Sequence, residues 1–133
     1  MNTTYFLNLV AANLYCGQND PAIPTAYYVG LSTTEPALDG TNVTEPSAED
    51  SYARVVLTDL SSPVDGVVTN ASVVKFTEST GDWGKITHYV IYDGETDGNL
   101  LMYGALPSAR TIEAETEVII KAGYLKLSAQ NPA

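Results

Sequence analysis

The chain has 133 residues, a length that suits one domain and can build a core without disulfides or metal. Six Lys and Arg stand against 16 Asp and Glu, a formal net charge of -10, which opposes nucleic-acid phosphates and anionic membrane surfaces and leaves basic partners or cations as counterparts. The single cysteine, Cys16, excludes an intramolecular disulfide, and one histidine with no CxxC pair is too few ligands for structural zinc.

Residues 2–15 read as the one helix. Asn2, Thr3 or Thr4 supplies a capping oxygen, and Phe6, Leu9 and Val10 recur at i, i+3 and i+4. Gly17 ends the helix, and Pro21 and Pro24 keep it from resuming. A lone helix of this length is marginal in water, so it must dock. It either covers the sheet core or packs against a neighbouring subunit. No basic residue precedes its apolar part, so it does not read as a secretory signal. No apolar run reaches the ~18–20 residues that span a bilayer.

Thr25 to Thr33 is the first expected strand, with Tyr27, Val29 and Leu31 on one face. Thr34 to Ser51 is a long acidic segment with two Glu-Pro steps and an Asp-Gly turn, all strand breakers. Loops of this length usually carry function or contacts, so it is expected to be a solvated loop or a quaternary contact arm. Tyr52 to Thr58 is the second strand, and Val67 to Thr77 is one bent strand or two short ones. Gly81 to Gly84 is a tight entry to Ile86 to Asp93, which is apolar on both faces and so central and covered twice. Gly94 to Gly98 turns the chain into a return strand, Asn99 to Ala105. Arg110 to Ala114 follows as another short strand after Pro107. Glu117 to Lys121 and Tyr124 to Ser128 form a final hairpin across Ala122-Gly123. The tail Gln130 to Ala133 is expected to fray. About eight short strands with regular turn signals argue an all-β, two-sheet β-sandwich, jelly-roll-like, with one N-terminal helix.

Few residues offer chemistry. His88 lies mid-strand with Thr87 and Tyr89 facing the other way, which suits an interior or interface group more than a base. Cys16 has no basic neighbour to lower its pKa. Asp93 to Asn99 copies the start of a calcium loop, but the twelfth position is Gly104 rather than glutamate, so an acidic hairpin turn explains it better. Glu113, Glu115 and Glu117 alternate along a solvated face. Nine tyrosines against two phenylalanines suit sandwich cores, subunit interfaces and sugar platforms alike.

Four stretches carry a resemblance: Tyr28–Pro36 (YVGLSTTEP), Tyr52–Val55 (YARV), Trp83–Asp93 (WGKITHYVIYD) and Gly98–Leu106 (GNLLMYGAL). In this order they resemble a widespread family of small bacteriophage virion proteins, often labelled tail fibre or minor tail proteins. The resemblance implies a non-enzymatic structural protein with no cofactor, made in the host bacterial cytoplasm and carried in the virion. It would assemble as a homo-oligomer, with a trimer as the first expectation, against major capsid or tail proteins, as capsid decoration or a tail component. Expected subunit contacts are Phe6, Leu9, Val10 and Tyr15 on the helix and Glu35, Asp39 and Glu45 on the loop. The alternative is an adsorption module that binds a host-surface glycan through exposed tyrosines and acidic loops.

Overall fold

The computed structural model describes residues 1–129; the tail from Gln130 onward lies outside them. Its organising unit is a long antiparallel pair, β5 (Gly84–Tyr92) with β6 (Leu100–Ile112). β1 (Tyr28–Ser32) pairs along the other side of β5, and β2 (Val55–Val56) adds to β1, giving the order β2-β1-β5-β6. Two short ribbons complete the strands. β3 (Val68–Thr69) pairs with β8 (Lys126–Leu127), and β4 (Val74–Lys75) pairs with β7 (Ile119–Ile120). Side chains of both ribbons, among them Val74, Phe76, Ile120, Leu125 and Leu127, join Val29, Leu31, Tyr89 and Ile91 of the main sheet in one core. The protein is therefore an all-β sandwich with one N-terminal helix.

The helix α1 (Thr4–Tyr15) starts where the cap chemistry asks. The Thr3 hydroxyl accepts from the Phe6 amide at 3.3 Å and donates to the Leu100 carbonyl at 2.7 Å, so one buried side chain both caps the helix and ties it to β6. The amides of Cys16 and Gln18 both bond the Ala12 carbonyl, with Gly17 at φ +65° between them. Phe6 and Leu9 are buried against the chain's own core, so the apolar stripe covers the sheet of the same chain.

β5 is apolar on both sides because both sides are covered. Tyr89 and Ile91 face the main core. Val90 and Tyr92 join Leu100 and Tyr103 in a second, smaller cluster on the opposite face, over which Val43 of the acidic loop packs. That loop (34–51) holds no strand, only a single 3-10 turn at Ala48–Asp50.

Two expectations are corrected. Arg110 to Ala114 is not a separate strand. β6 continues through Pro107, and the register steps from His88 opposite Ala105 to Ile86 opposite Arg110. Residues 106–109 thus bulge out opposite Thr87. Proline is tolerated there because β6 is the edge strand and the bulge demands no ladder bond. The last two segments also do not form a hairpin with each other, since β7 goes to β4 and β8 to β3. Buried Asn70 holds that divergence. Its amide nitrogen donates to the carbonyls of Ser72 (2.9 Å) and Lys121 (3.0 Å), and its oxygen accepts from the amides of Gly123 (3.1 Å) and Leu125 (3.0 Å). A distant side chain thus takes the bonds a local hairpin would have used.

Candidate functional site

The densest polar arrangement lies where the acidic loop crosses the outer face of the main sheet. It is centred on Arg54, placed next to β2 by the alternation of Tyr52 to Val55. The Arg54 guanidinium forms a two-point bond with Glu45, Nε to Oε2 at 3.1 Å and an η-nitrogen to Oε1 at 2.7 Å. Its other η-nitrogen donates to the carbonyls of Gly94 (2.9 Å) and Asp97 (2.7 Å). The cation lies 3.5 Å from the centroid of the Tyr92 ring. Only a planar, five-donor group reaches a carboxylate, two carbonyls and a ring face together. Burial lowers the Arg54 pKa, but the Glu45 carboxylate outweighs it and the net shift is upward.

Tyr52 carries the arrangement into the core. Its hydroxyl donates to Glu45 and accepts from the Leu31 amide at 2.9 Å. β2 ends before reaching Leu31, so the phenol stands in for a ladder partner there. Burial, then the Glu45 charge, push its ionisation far above the ordinary tyrosine range. The Tyr52 ring meets Trp83 edge to face at 5.4 Å and stacks with Phe76 at 6.4 Å. The Trp83 indole N–H donates to the Asp50 carbonyl at 2.9 Å, closing the far end of the loop. Gly30 leaves the room this needs: a Cβ there would lie 2.9 Å from Glu45 Oε2 and 3.2 Å from Arg54 Cγ.

The hairpin turn is self-contained. The Asp93 carboxylate accepts from the Asn99 amide at 2.7 Å and from its side chain at 3.3 Å, with Asp97 and Gly98 at positive φ. Its oxygens are thus already engaged within the turn. Among the described residues no three His, Cys, Asp or Glu side chains converge as metal ligands. His88 is half-buried, and its Nδ1 lies 2.8 Å from the Thr87 hydroxyl.

The expected contact residues separate into two groups. Phe6 and Leu9 are core, Val10 packs against the core half-buried, and Glu45 is held by Arg54 and Tyr52. Tyr15, Glu35 and Asp39 are on the surface, Tyr15 with 85% of its area exposed. Sequence reasoning missed Arg54, though an arginine between Ala53 and Val55, in a chain with six cations, was a readable signal. It also missed an apolar groove of about 510 Å³ between the β6 bulge and β7, rimmed by Arg110, Lys121 and Tyr124. Nothing local to either wall announces it.

Fold and cluster together define a class: a β-sandwich module whose distinctive side chains are engaged in holding loop to sheet. The match with known families is specific. Residues 2–128 fit the family described as podophage GP4 fiber I protein gp80, and the chain belongs to that family. The resemblance read from Tyr52–Val55 and Trp83–Leu106 therefore stands, and those stretches contain the Tyr52, Arg54, Trp83, Asp93 and Asn99 bonds described above. No curated protein matches the chain.

Proposed function

We propose that the chain is a non-enzymatic structural subunit of a phage tail fibre, built into the virion through contacts with copies of itself and with neighbouring tail proteins. The observation that carries this is the family match across residues 2–128. The use of its marker residues supports it, because Tyr52, Arg54 and Trp83 serve the fold. The fibre description favours the tail over capsid decoration. With Phe6, Leu9 and Glu45 held inside the chain, the contacts fall to Tyr15, Glu35 and Asp39. A folded module of this kind adds stability to an assembly by binding only its assembled form.

The test is quantitative mass spectrometry of purified virions. A tail fibre subunit is present in a small copy number that is a multiple of the fibre's symmetry, three for a trimer. Hundreds of copies would move the protein to the capsid shell, and absence from the particle would end the proposal. A second reading, an adsorption module for host-surface glycan, draws on exposed Tyr124 at the rim of the groove. Silence on an array of host glycans removes it.

A further inference from the structure

The groove between the β6 bulge and β7 lies outside the Arg54 cluster. Its walls are apolar, with Leu106, Pro107, Val118 and Ile119 among them, and Arg110 and Lys121 stand on its lining. In a chain of net charge -10 this is a local excess of cations. The ion pairs among the described residues are Arg54–Glu45 and Lys75–Glu117. Neither Arg110 nor Lys121 belongs to one, while Glu117 on the same lining pairs with exposed Lys75 at 3.4 Å. An occupant should therefore be apolar at its centre and acidic at its sides.

The acidic loop carries such an element. In the turn Glu35-Pro-Ala-Leu38-Asp39, Leu38 keeps 43% of its area exposed, and both acids beside it are exposed. The turn is pre-formed. Ala37 N–H bonds the Thr41 carbonyl at 2.9 Å, Thr4 N–H bonds the Leu38 carbonyl at 2.9 Å, and the Asn42 side-chain Nδ2 donates to the Glu35 carbonyl at 2.7 Å. The Asp39 carboxylate accepts from the Thr41 amide and hydroxyl at 3.0 and 2.6 Å. A rigid projection loses little entropy on docking. Among the other exposed apolar side chains, Leu14 and Tyr15 have no charge in the last turn of their helix, and Leu60 and Val64 each have a single acid as neighbour, Asp59 and Asp65.

We propose that the groove receives the Glu35–Asp39 turn of a second copy, with Leu38 among the apolar walls and the two acids against Arg110 and Lys121. The two surfaces cannot meet within one chain. The turn sits by Leu100, which pairs with Tyr92, and the groove runs along β6 from Ala105, opposite His88, to Arg110, opposite Ile86, so the two are held four to six residues apart along β5, roughly 13–20 Å. The contact is head-to-tail, so it generates a closed ring or an open filament rather than a two-fold dimer. It deepens the structural-subunit reading by naming the surfaces through which copies join, and it rests on that reading for its setting.

Sedimentation velocity of the full chain, at low and high ionic strength, tests it. The expected result is concentration-dependent association beyond a dimer, weakened by salt. Leu38→Asp and Lys121→Glu should each weaken it about tenfold or more, while near-ultraviolet dichroism stays native. The pair Glu35→Lys with Lys121→Glu, which leaves the Asp39–Thr41 bonds of the turn in place, should recover much of the loss. A wild type that stays monomeric at low salt overturns the proposal, as do single variants that associate like wild type. Binding of an acidic glycan that Lys121→Glu abolishes, in a monomeric chain, also overturns it in favour of a ligand groove. Virion copy number is read independently, so failure of the groove contact and failure of the structural role remain distinct.

Discussion

Replacing Arg54 by methionine keeps the stem and removes the guanidinium. Four hydrogen bonds disappear, two to Glu45 and one each to the carbonyls of Gly94 and Asp97, together with the contact to the Tyr92 ring. Glu45, with 20% of its side chain exposed, is left with the Tyr52 hydroxyl. Stripping one partner from a buried ion pair costs about 3–5 kcal/mol, because the remaining charge is uncompensated. The surviving Tyr52 bond and the partial exposure pull toward the low end. The two turn carbonyls add about 0.5–1.5 kcal/mol each where water does not replace the donor. These contributions share one group and do not add, so the expected loss is about 3–4 kcal/mol. That is a large part of the roughly 5–15 kcal/mol typical of a domain. Urea unfolding followed by Trp83 fluorescence measures it, since the one tryptophan is buried against Tyr52. Glu45→Gln and the double variant complete a cycle that isolates the pair. A loss below about 1 kcal/mol, or a coupling energy within about 0.5 kcal/mol of zero, would refute the clamp.

Tyr52 gives a pH signature. Its folded ionisation lies far above the ordinary tyrosine value of about 10, so above that pH the unfolded chain releases a proton that the folded chain keeps. The Tyr52 contribution is therefore complete below pH ~10 and falls by about 1.4 kcal/mol per unit above it; burial also raises Tyr27, Tyr89, Tyr92 and Tyr103, so Tyr52→Phe should lessen the slope of urea titrations at alkaline pH by about that amount and leave the rest. Asn70→Ala removes the side-chain donor to the Ser72 and Lys121 carbonyls and the acceptor of the Leu125 amide, while the Gly123 amide keeps its bond to the backbone carbonyl of residue 70 at 2.8 Å. The expected cost is about 2–4 kcal/mol, with faster hydrogen exchange at the Leu125 amide; protection equal to wild type there would show that the strands diverge without it. Gly30→Ala drives a methyl against Glu45 and Arg54. It should cost about 1–3 kcal/mol by thermal melting, and an unchanged melting curve would mean that the cluster yields freely.

What could be read in advance was local. The capping threonine and the Phe6–Leu9 spacing place the helix, and the doubly apolar Ile86 to Tyr92 run marks the central strand. The misreadings share a cause, which is sequence distance. Ala122-Gly123 is a sound hairpin turn by its own chemistry, yet Asn70, 51 residues before Lys121, redirects both flanking strands. An acidic loop with two Glu-Pro steps looks solvated, yet Val43 and Glu45 pin it to the sheet through Arg54 and the second core cluster. Pro107 reads as a strand break only if the strand is assumed to be paired on both sides. For the candidate contacts, an apolar stripe signals burial without saying whose core it enters. Phe6 and Leu9 enter their own.

The N-terminal stretch has a consequence for how the protein is made. Asn2 bridges to Met102, and Thr3 bonds Leu100 and Leu101. At about 5–20 residues per second, a ribosome needs roughly 5–20 seconds to deliver those partners. A 12-residue helix is barely stable alone, so this segment, made 97 residues ahead of the Leu100 carbonyl that Thr3 bonds, waits with Phe6 and Leu9 uncovered until the β5–β6 pair exists. Substitutions that slow the β5–β6 turn would therefore lower yield by lengthening that wait, without touching the finished fold.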